Sequence, residues 1–98
     1  MAIRSFATRG TEDIFNQARS KTARRTCPKG IWPVARRKLY LLNAVTRLAD
    51  LAIPRGNELE TLKGDRKGQH SIRINEQYRV CFRWTEDGPE DAEITDYH

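Results

Sequence analysis

Residues 70–84 read HSIRINEQYRVCFRW, and their alternation decides the fold. Ile72 and Ile74, then Tyr78, Val80, Phe82 and Trp84, recur at every second position on either side of a short break. Strand side chains alternate between two faces, so the two runs predict an antiparallel hairpin with one apolar face. Ser71, Arg73 and Asn75 then share the opposite face with Arg79, Cys81 and Arg83. The register that keeps both apolar sets together brings Arg73 close to Arg79, either directly opposite or diagonal. Two arginines so placed repel unless something negative lies between them. One reading is a phosphate clamp. The other is neutralisation by Asp96 or Glu93 on the following strand, and the residues alone leave both open.

The flanking sequence supplies the remaining elements. Upstream, residues 3–6 alternate and predict a first strand. Thr11 is the expected cap of a first helix, with Glu12 and Asp13 in its opening turn and Ile14, Phe15 and Ala18 on its apolar side. The basic stretch 19–30, RSKTARRTCPKG, loses the period and reads as a mobile loop. Pro33 then stands in the first turn of a second helix, where its missing N–H costs nothing. Val34, Leu41, Val45 and Leu48, flanked by Ala35, Leu39, Leu42 and Ala49, give that helix a core-facing stripe. After Asn57 the period falls to two. Residues 58–62 predict a short strand, 63–68 (KGDRKG) a turn, and 92–97 the last strand. The expected fold is α+β, with two N-terminal helices packed on a mainly antiparallel sheet.

Length and charge narrow the partners. Ninety-eight residues with 38% hydrophobic content predict one domain, 1–98, with a modest core and no room for a large buried cofactor. No apolar run approaches the roughly 20 residues of a membrane helix. The opening MAIRSFATRG lacks the apolar segment of a signal peptide, so a cytoplasmic protein without a membrane partner is expected. The net charge of +5 hides a division. Residues 1–83 hold all 18 basic groups and seven acids, whereas residues 84–98 hold six acids and no Lys or Arg. Thirteen of the basic residues are arginine, whose planar fork of donors suits phosphate, and a polyanion partner is expected.

Candidate chemistry gathers around the hairpin. The 63–68 turn adds positive groups and two glycines, but its spacing is not that of a nucleotide-binding P-loop. Asp96, Tyr97 and His98 group three proton-handling side chains behind the last strand. Cys27 and Cys81 lie in no paired-cysteine motif and are expected as reduced thiols. His70 and His98 are far apart in sequence, and no metal or cofactor is expected.

LETLKGDRKGQHSIRINEQYRVCFRW, followed by TDYH at 95–98, resembles the HigB or killer-protein branch of the RelE/ParE toxin superfamily. IRSF and GTEDIF near the start are also similar. The resemblance implies a bacterial type II toxin with a curved antiparallel sheet, acting as a ribosome-dependent mRNA endonuclease. It implies a helix-turn-helix antitoxin of the HigA type as partner, with operator DNA reached only through that antitoxin. Matched by position, Lys63, Arg73 and Arg79 would hold the scissile phosphate, and Asp96, Tyr97 and His98 would form the catalytic and substrate-contacting cluster. Glu60 stands where some relatives place a histidine and is a further candidate for proton transfer. Arg66, Lys67, Arg24 and Arg25 are candidate RNA contacts. The superfamily also contains toxins that bind DNA gyrase, so a gyrase-binding toxin and a non-catalytic basic RNA-binding module are the alternatives.

Overall fold

The computed structural model describes residues 1–96. Helices α1 (Arg9–Phe15), α2 (Lys21–Thr26) and α3 (Trp32–Ala44) come first. Two 3-10 turns, Leu48–Ala52 and Arg55–Asn57, lead into strands β1 (Glu60–Thr61), β2 (His70–Arg73), β3 (Tyr78–Thr85) and β4 (Gly88–Asp96). The strands form one antiparallel sheet in chain order. Helices on one face of an antiparallel sheet give the α+β class that the alternation predicts.

The hairpin has the expected facing. Ile72 pairs with Val80, and Ile72, Ile74, Val80, Phe82, Ala92 and Ile94 are buried against the helices. From the helical side come Ile14, Ala23, Trp32, Ala35, Leu39 and Leu42. In α3 the residues read as flanking the stripe are the buried ones, and Val34 and Leu41 are only partly buried. The helix ends at Ala44, so Val45, Leu48 and the exposed Ala49 lie beyond it. Asn75 shapes the connection between β2 and β3, its side-chain oxygen accepting from the N–H groups of Gln77 and Tyr78 at 2.9 and 2.7 Å. In the β3–β4 ladder Cys81 faces Glu93, but Arg83 already faces Glu90. The extra residue falls in β4, where Asp91 has a φ of 54°, and such a bulge bends and twists the strand.

The helical layer departs from expectation in three further places. First, the 19–30 stretch is not a loop: it contains α2 and a 3-10 turn, Lys29–Ile31. Ser20 caps α2 by accepting from the Ala23 N–H at 3.0 Å. Asp13 accepts from the hydroxyls of Ser20 and Thr22 at 2.5 and 2.6 Å, which holds its carboxyl below the usual carboxylate range. Second, the cap of α1 is Thr8, which accepts from the Thr11 N–H at 3.2 Å. Thr11 is buried and its hydroxyl accepts from the Ile94 N–H at 3.0 Å. Third, the predicted first strand is an extended segment beside β4 with one parallel bridge, Phe6 to Ala92. Its bonds from Ala92 N–H to Ser5 and from Ala7 N–H to Ala92 continue the row that Thr11 completes. Together they cover the outer edge of β4, an edge that would otherwise template association.

Glycine decides one contact in this layer. A Cβ on Gly10 would stand 1.8 Å from Thr26 Oγ1 and 2.5 Å from the Thr22 carbonyl oxygen, so α1 and α2 cross where a side chain is missing. Gly10→Ala is expected to cost about 1–3 kcal/mol through forced separation of the two helices, read as a lower urea midpoint. A second outcome concerns the thiols. Cys27 and Cys81 are both free and buried, and burial pushes Cys27 up to about 11 and raises Cys81 as well. The fold thus favours the protonated thiols, a contribution that is complete below pH 9 and is lost as the pH rises towards 11. Neither cysteine should react appreciably with a thiol reagent at pH 8 until denaturant is added. The thermal midpoint should fall through that alkaline window.

Candidate functional site

The sheet face turned away from the helices carries Ser71 and Arg73 of β2, Arg79 and Cys81 of β3, and Glu93 and Thr95 of β4. Arg73 pairs directly with Arg79, and Arg79 pairs in turn with Thr95. Glu60 of β1 pairs with Ser71 and so stands on the same face.

Two guanidinium groups facing each other across a ladder are unfavourable without compensation. Arg79 is only 7% exposed, and the chain surrounds it with acceptors. Its Nε donates to Ser71 Oγ at 2.7 Å, and its terminal nitrogen donates to the carbonyls of Ser71 and Glu58. Arg73 Nε lies 3.1 Å from the Glu58 carboxylate. One residue therefore serves both arginines, the backbone oxygen of Glu58 on one and its side chain on the other. Glu58 does so from a left-handed conformation, φ 44° and ψ 56°, that glutamate rarely adopts.

Glu58, from the chain before β1, is thus an acid at this pair besides the Asp96 and Glu93 considered from the sequence. Asp96 faces Tyr78 in the ladder, so alternation turns its side chain to the other face, where it accepts from Gln77 Nε2 at 3.0 Å. Burial, then the Asp96 charge, raises the Tyr78 hydroxyl above its ordinary value. Glu93 lies two positions along β4 from Thr95 and is met by Arg66 at 3.3 Å.

Behind Glu58, Asn57 is fully buried. Its amide nitrogen donates to the Leu51 and Ile53 carbonyls at 3.2 Å each, and its oxygen accepts from Lys38 Nζ. Burial pushes the Lys38 ammonium below the usual lysine value, and the nearby charges of Arg37 and Arg73 push it further. Lys38 thus brings a third cation from α3 to the neighbourhood of Arg73.

The other candidates are distributed more widely. The loop after β1 closes through a bond from Leu62 N–H to the Gln69 carbonyl and folds over the sheet. Arg66 then reaches Gln69, Glu93 and Thr95, at 3.1, 3.3 and 3.4 Å. It braces the loop against β4 instead of projecting outward. Lys63 and Lys67 are exposed, and Lys63 lies three positions past Glu60, towards Gln69 and away from the Arg73–Arg79 rung. Arg24 and Arg25 are exposed in the last turn of α2, on the helical layer. That layer also holds a pocket of ≈ 200 Å³ lined by Arg19, Lys29, Trp32, Pro33 and Arg36. Tyr97 and His98 lie outside the described residues. Among the described residues no group of three or more His, Cys, Asp or Glu is placed to hold a metal ion.

Sequence reading missed Glu58, Asn57 and Lys38, and it placed Ser71 on the correct face without a role. Ser71 is the testable member of this set. Ser71→Ala leaves the buried Arg79 Nε without its acceptor and is expected to cost about 1–3 kcal/mol in urea unfolding. Arg73→Ala, at a half-exposed position, should cost less than about 1 kcal/mol.

The comparisons with known proteins agree with this architecture. The family described as the RelE-like toxin of the type II toxin–antitoxin system HigB matches residues 4–98. Toxin HigB-1 of Vibrio cholerae is 45% identical over 62 residues, which cover 63% of this chain and 65% of that protein. An uncharacterized protein of Haemophilus influenzae is 35% identical over 57 residues, covering 58% of this chain and 56% of its own length. The match thus spans less than two thirds of either relative. The structure is similar to that of a YoeB–YefM complex from Staphylococcus aureus, with a TM-score of 0.53 and 16% identity over 100% of this chain and 99% of that one, a likeness of fold alone. With the family matched over residues 4–98, the chain belongs to the HigB-like toxins, the RelE-like branch of type II toxin–antitoxin systems.

Proposed function

We propose that this protein is the growth-inhibiting toxin of a type II pair, and that it cleaves mRNA in the decoding site of the small ribosomal subunit. The observation that carries this reading is the Arg73–Arg79 rung, with Glu60 on the same face and Asp96 at the same end of the sheet. In the proposed reaction a ribose 2′-oxygen attacks the adjacent phosphorus. A bond to the 2′-oxygen forms and the bond to the 5′-oxygen breaks. One group takes the 2′-proton and another gives a proton to the departing 5′-oxygen, leaving a 2′,3′-cyclic phosphate and a 5′-hydroxyl.

The chain's residues divide these tasks. Arg79, held on Ser71 and Glu58, presents a guanidinium that need not reorganise as charge builds on the phosphorane. Arg73 and Lys63 add positive charge from the rung and the loop. Glu60 shares the face of Arg79, which supports it as proton acceptor over Asp96, whose carboxylate is engaged by Gln77. His98 is the proposed proton donor and Tyr97 the proposed base-stacking ring. The exposed Arg24, Arg25 and Lys67 and the Arg19–Lys29–Arg36 pocket supply a basic exterior suited to RNA phosphates.

The partner that restrains such an activity is an antitoxin, here of the helix-turn-helix HigA type. Operator DNA is reached through that antitoxin, and residues 1–98 act as one domain. The proposed site of action is the cytoplasm, where ribosomes work. No helix among the described residues is long and apolar enough to cross a membrane.

Mapping 5′ ends of cellular mRNA after induction tests the reading. In-frame cuts that require translation are expected. Arg79→Gln, Arg73→Ala and Glu60→Gln should each slow cleavage by about a hundredfold or more on purified ribosomes. Intact message accompanied by DNA cleavage complexes would overturn it in favour of a gyrase-directed toxin.

A further inference from the structure

The acid that sits against the arginine rung is chemically similar to the group proposed to enter there. A phosphodiester and a carboxylate both offer paired anionic oxygens to a guanidinium. Glu58 already places such oxygens 3.1 Å from Arg73. Its two attachments differ in permanence. The carbonyl bonded to Arg79 belongs to the backbone, and it stays fixed as long as residue 58 keeps its left-handed turn. The carboxylate belongs to a side chain that is 52% exposed, on a partner that is 35% exposed. An ion pair of that kind is weak and exchanges readily for another anion. Arg79, by contrast, is nearly closed off and hydrogen-bonded on Ser71. Lys38 adds positive charge near Arg73.

We propose that the Glu58 side chain is an internal stand-in for the substrate phosphate, occupying Arg73 until an RNA phosphodiester displaces it. This rests on the RNA-cleaving reading of the site. The backbone oxygen of Glu58 keeps Arg79 aimed throughout, while the carboxylate swings into solvent and releases Arg73 for the incoming phosphate. The device has two effects. It relieves the repulsion between facing arginines while RNA is away. It also sets a threshold, because any anion must outcompete an attached carboxylate, and weak single contacts fail to do so. Glu58 is in this sense a positioning residue through its carbonyl and a competitor through its side chain.

Binding of a short single-stranded RNA with 2′-O-methyl riboses, which cannot be cleaved, separates the alternatives by fluorescence anisotropy at fixed low salt. Glu58→Gln retains the carbonyl and removes the charge, and is expected to tighten binding about threefold to tenfold. Glu58→Asn, which suits a left-handed residue, should do the same and guards against a folding artefact of the first variant. Glu76→Gln, which removes an exposed acid from the nearby turn, should change affinity less than about twofold. In an Arg73→Ala background the gain from Glu58→Gln should vanish. A Glu58→Gln protein that binds like the parent overturns the proposal, as does a gain that persists undiminished without Arg73, which would mark a general charge effect. Arg73→Ala alone should weaken binding. If it does not, the RNA-site reading itself fails, a result distinct from failure of the stand-in.

Discussion

The structure is organised around a conflict between packing and charge in one rung of one hairpin. The register in which the apolar faces of β2 and β3 meet the helices sets Arg73 opposite Arg79. A slip of β2 by one residue would relieve the repulsion and turn Ile72 and Ile74 to solvent, a far larger loss. The repulsion is therefore accommodated by neighbours. Ser71 of β2 gives Arg79 of β3 an acceptor from the neighbouring strand, and the chain before β1 takes a left-handed turn so that Glu58 can give two more. Asn57 ties that turn to the 48–53 segment and to Lys38 of α3. A buried arginine without these contacts would be strongly destabilising, so the surroundings are over-determined.

The helices position this rung from behind. Ile14, Leu39 and Leu42 pack on the reverse side of the hairpin, and α1 crosses α2 at Gly10 without an intervening side chain. The bulge at Asp91 bends β4 near the Glu90 end, away from Thr95 and Asp96. The charged end of the sheet therefore lies on regularly paired strand, where side-chain directions are set by the ladder and not by loop conformations.

Features that depend on periodicity were legible in the sequence. The facing of the hairpin and the closeness of Arg73 to Arg79 follow from a period of two, and the existence of α3 from one of 3.6. Features that depend on single backbone choices were not. No pattern marks Glu58 as left-handed, since glutamate seldom is. Nothing local distinguishes Thr8 from Thr11 as a cap, because Thr11 is claimed by a β4 N–H far along the chain. The 19–30 stretch lacks an apolar stripe, and α2 exists through Ser20, Asp13 and the contact at Gly10, all tertiary or capping effects on a six-residue helix. The acid and hydroxyl that Arg66 meets are on β4, beyond any local window.

The covering of β4 by the earliest residues has a consequence for when the molecule becomes complete. Thr11 bonds to Ile94 and Ser5 to Asp91, partners more than eighty positions later in the chain. The β2–β3 hairpin needs only neighbours a few residues away and can form as soon as it is synthesised. The outer edge has no such option: residues 3–11 must wait, unpaired, until 88–96 have left the exit tunnel. A growing chain therefore holds its arginine rung before it holds a sealed sheet. The outer edge of β4 is thus the last part of the sheet to be covered, and until then it is open to a strand from a partner.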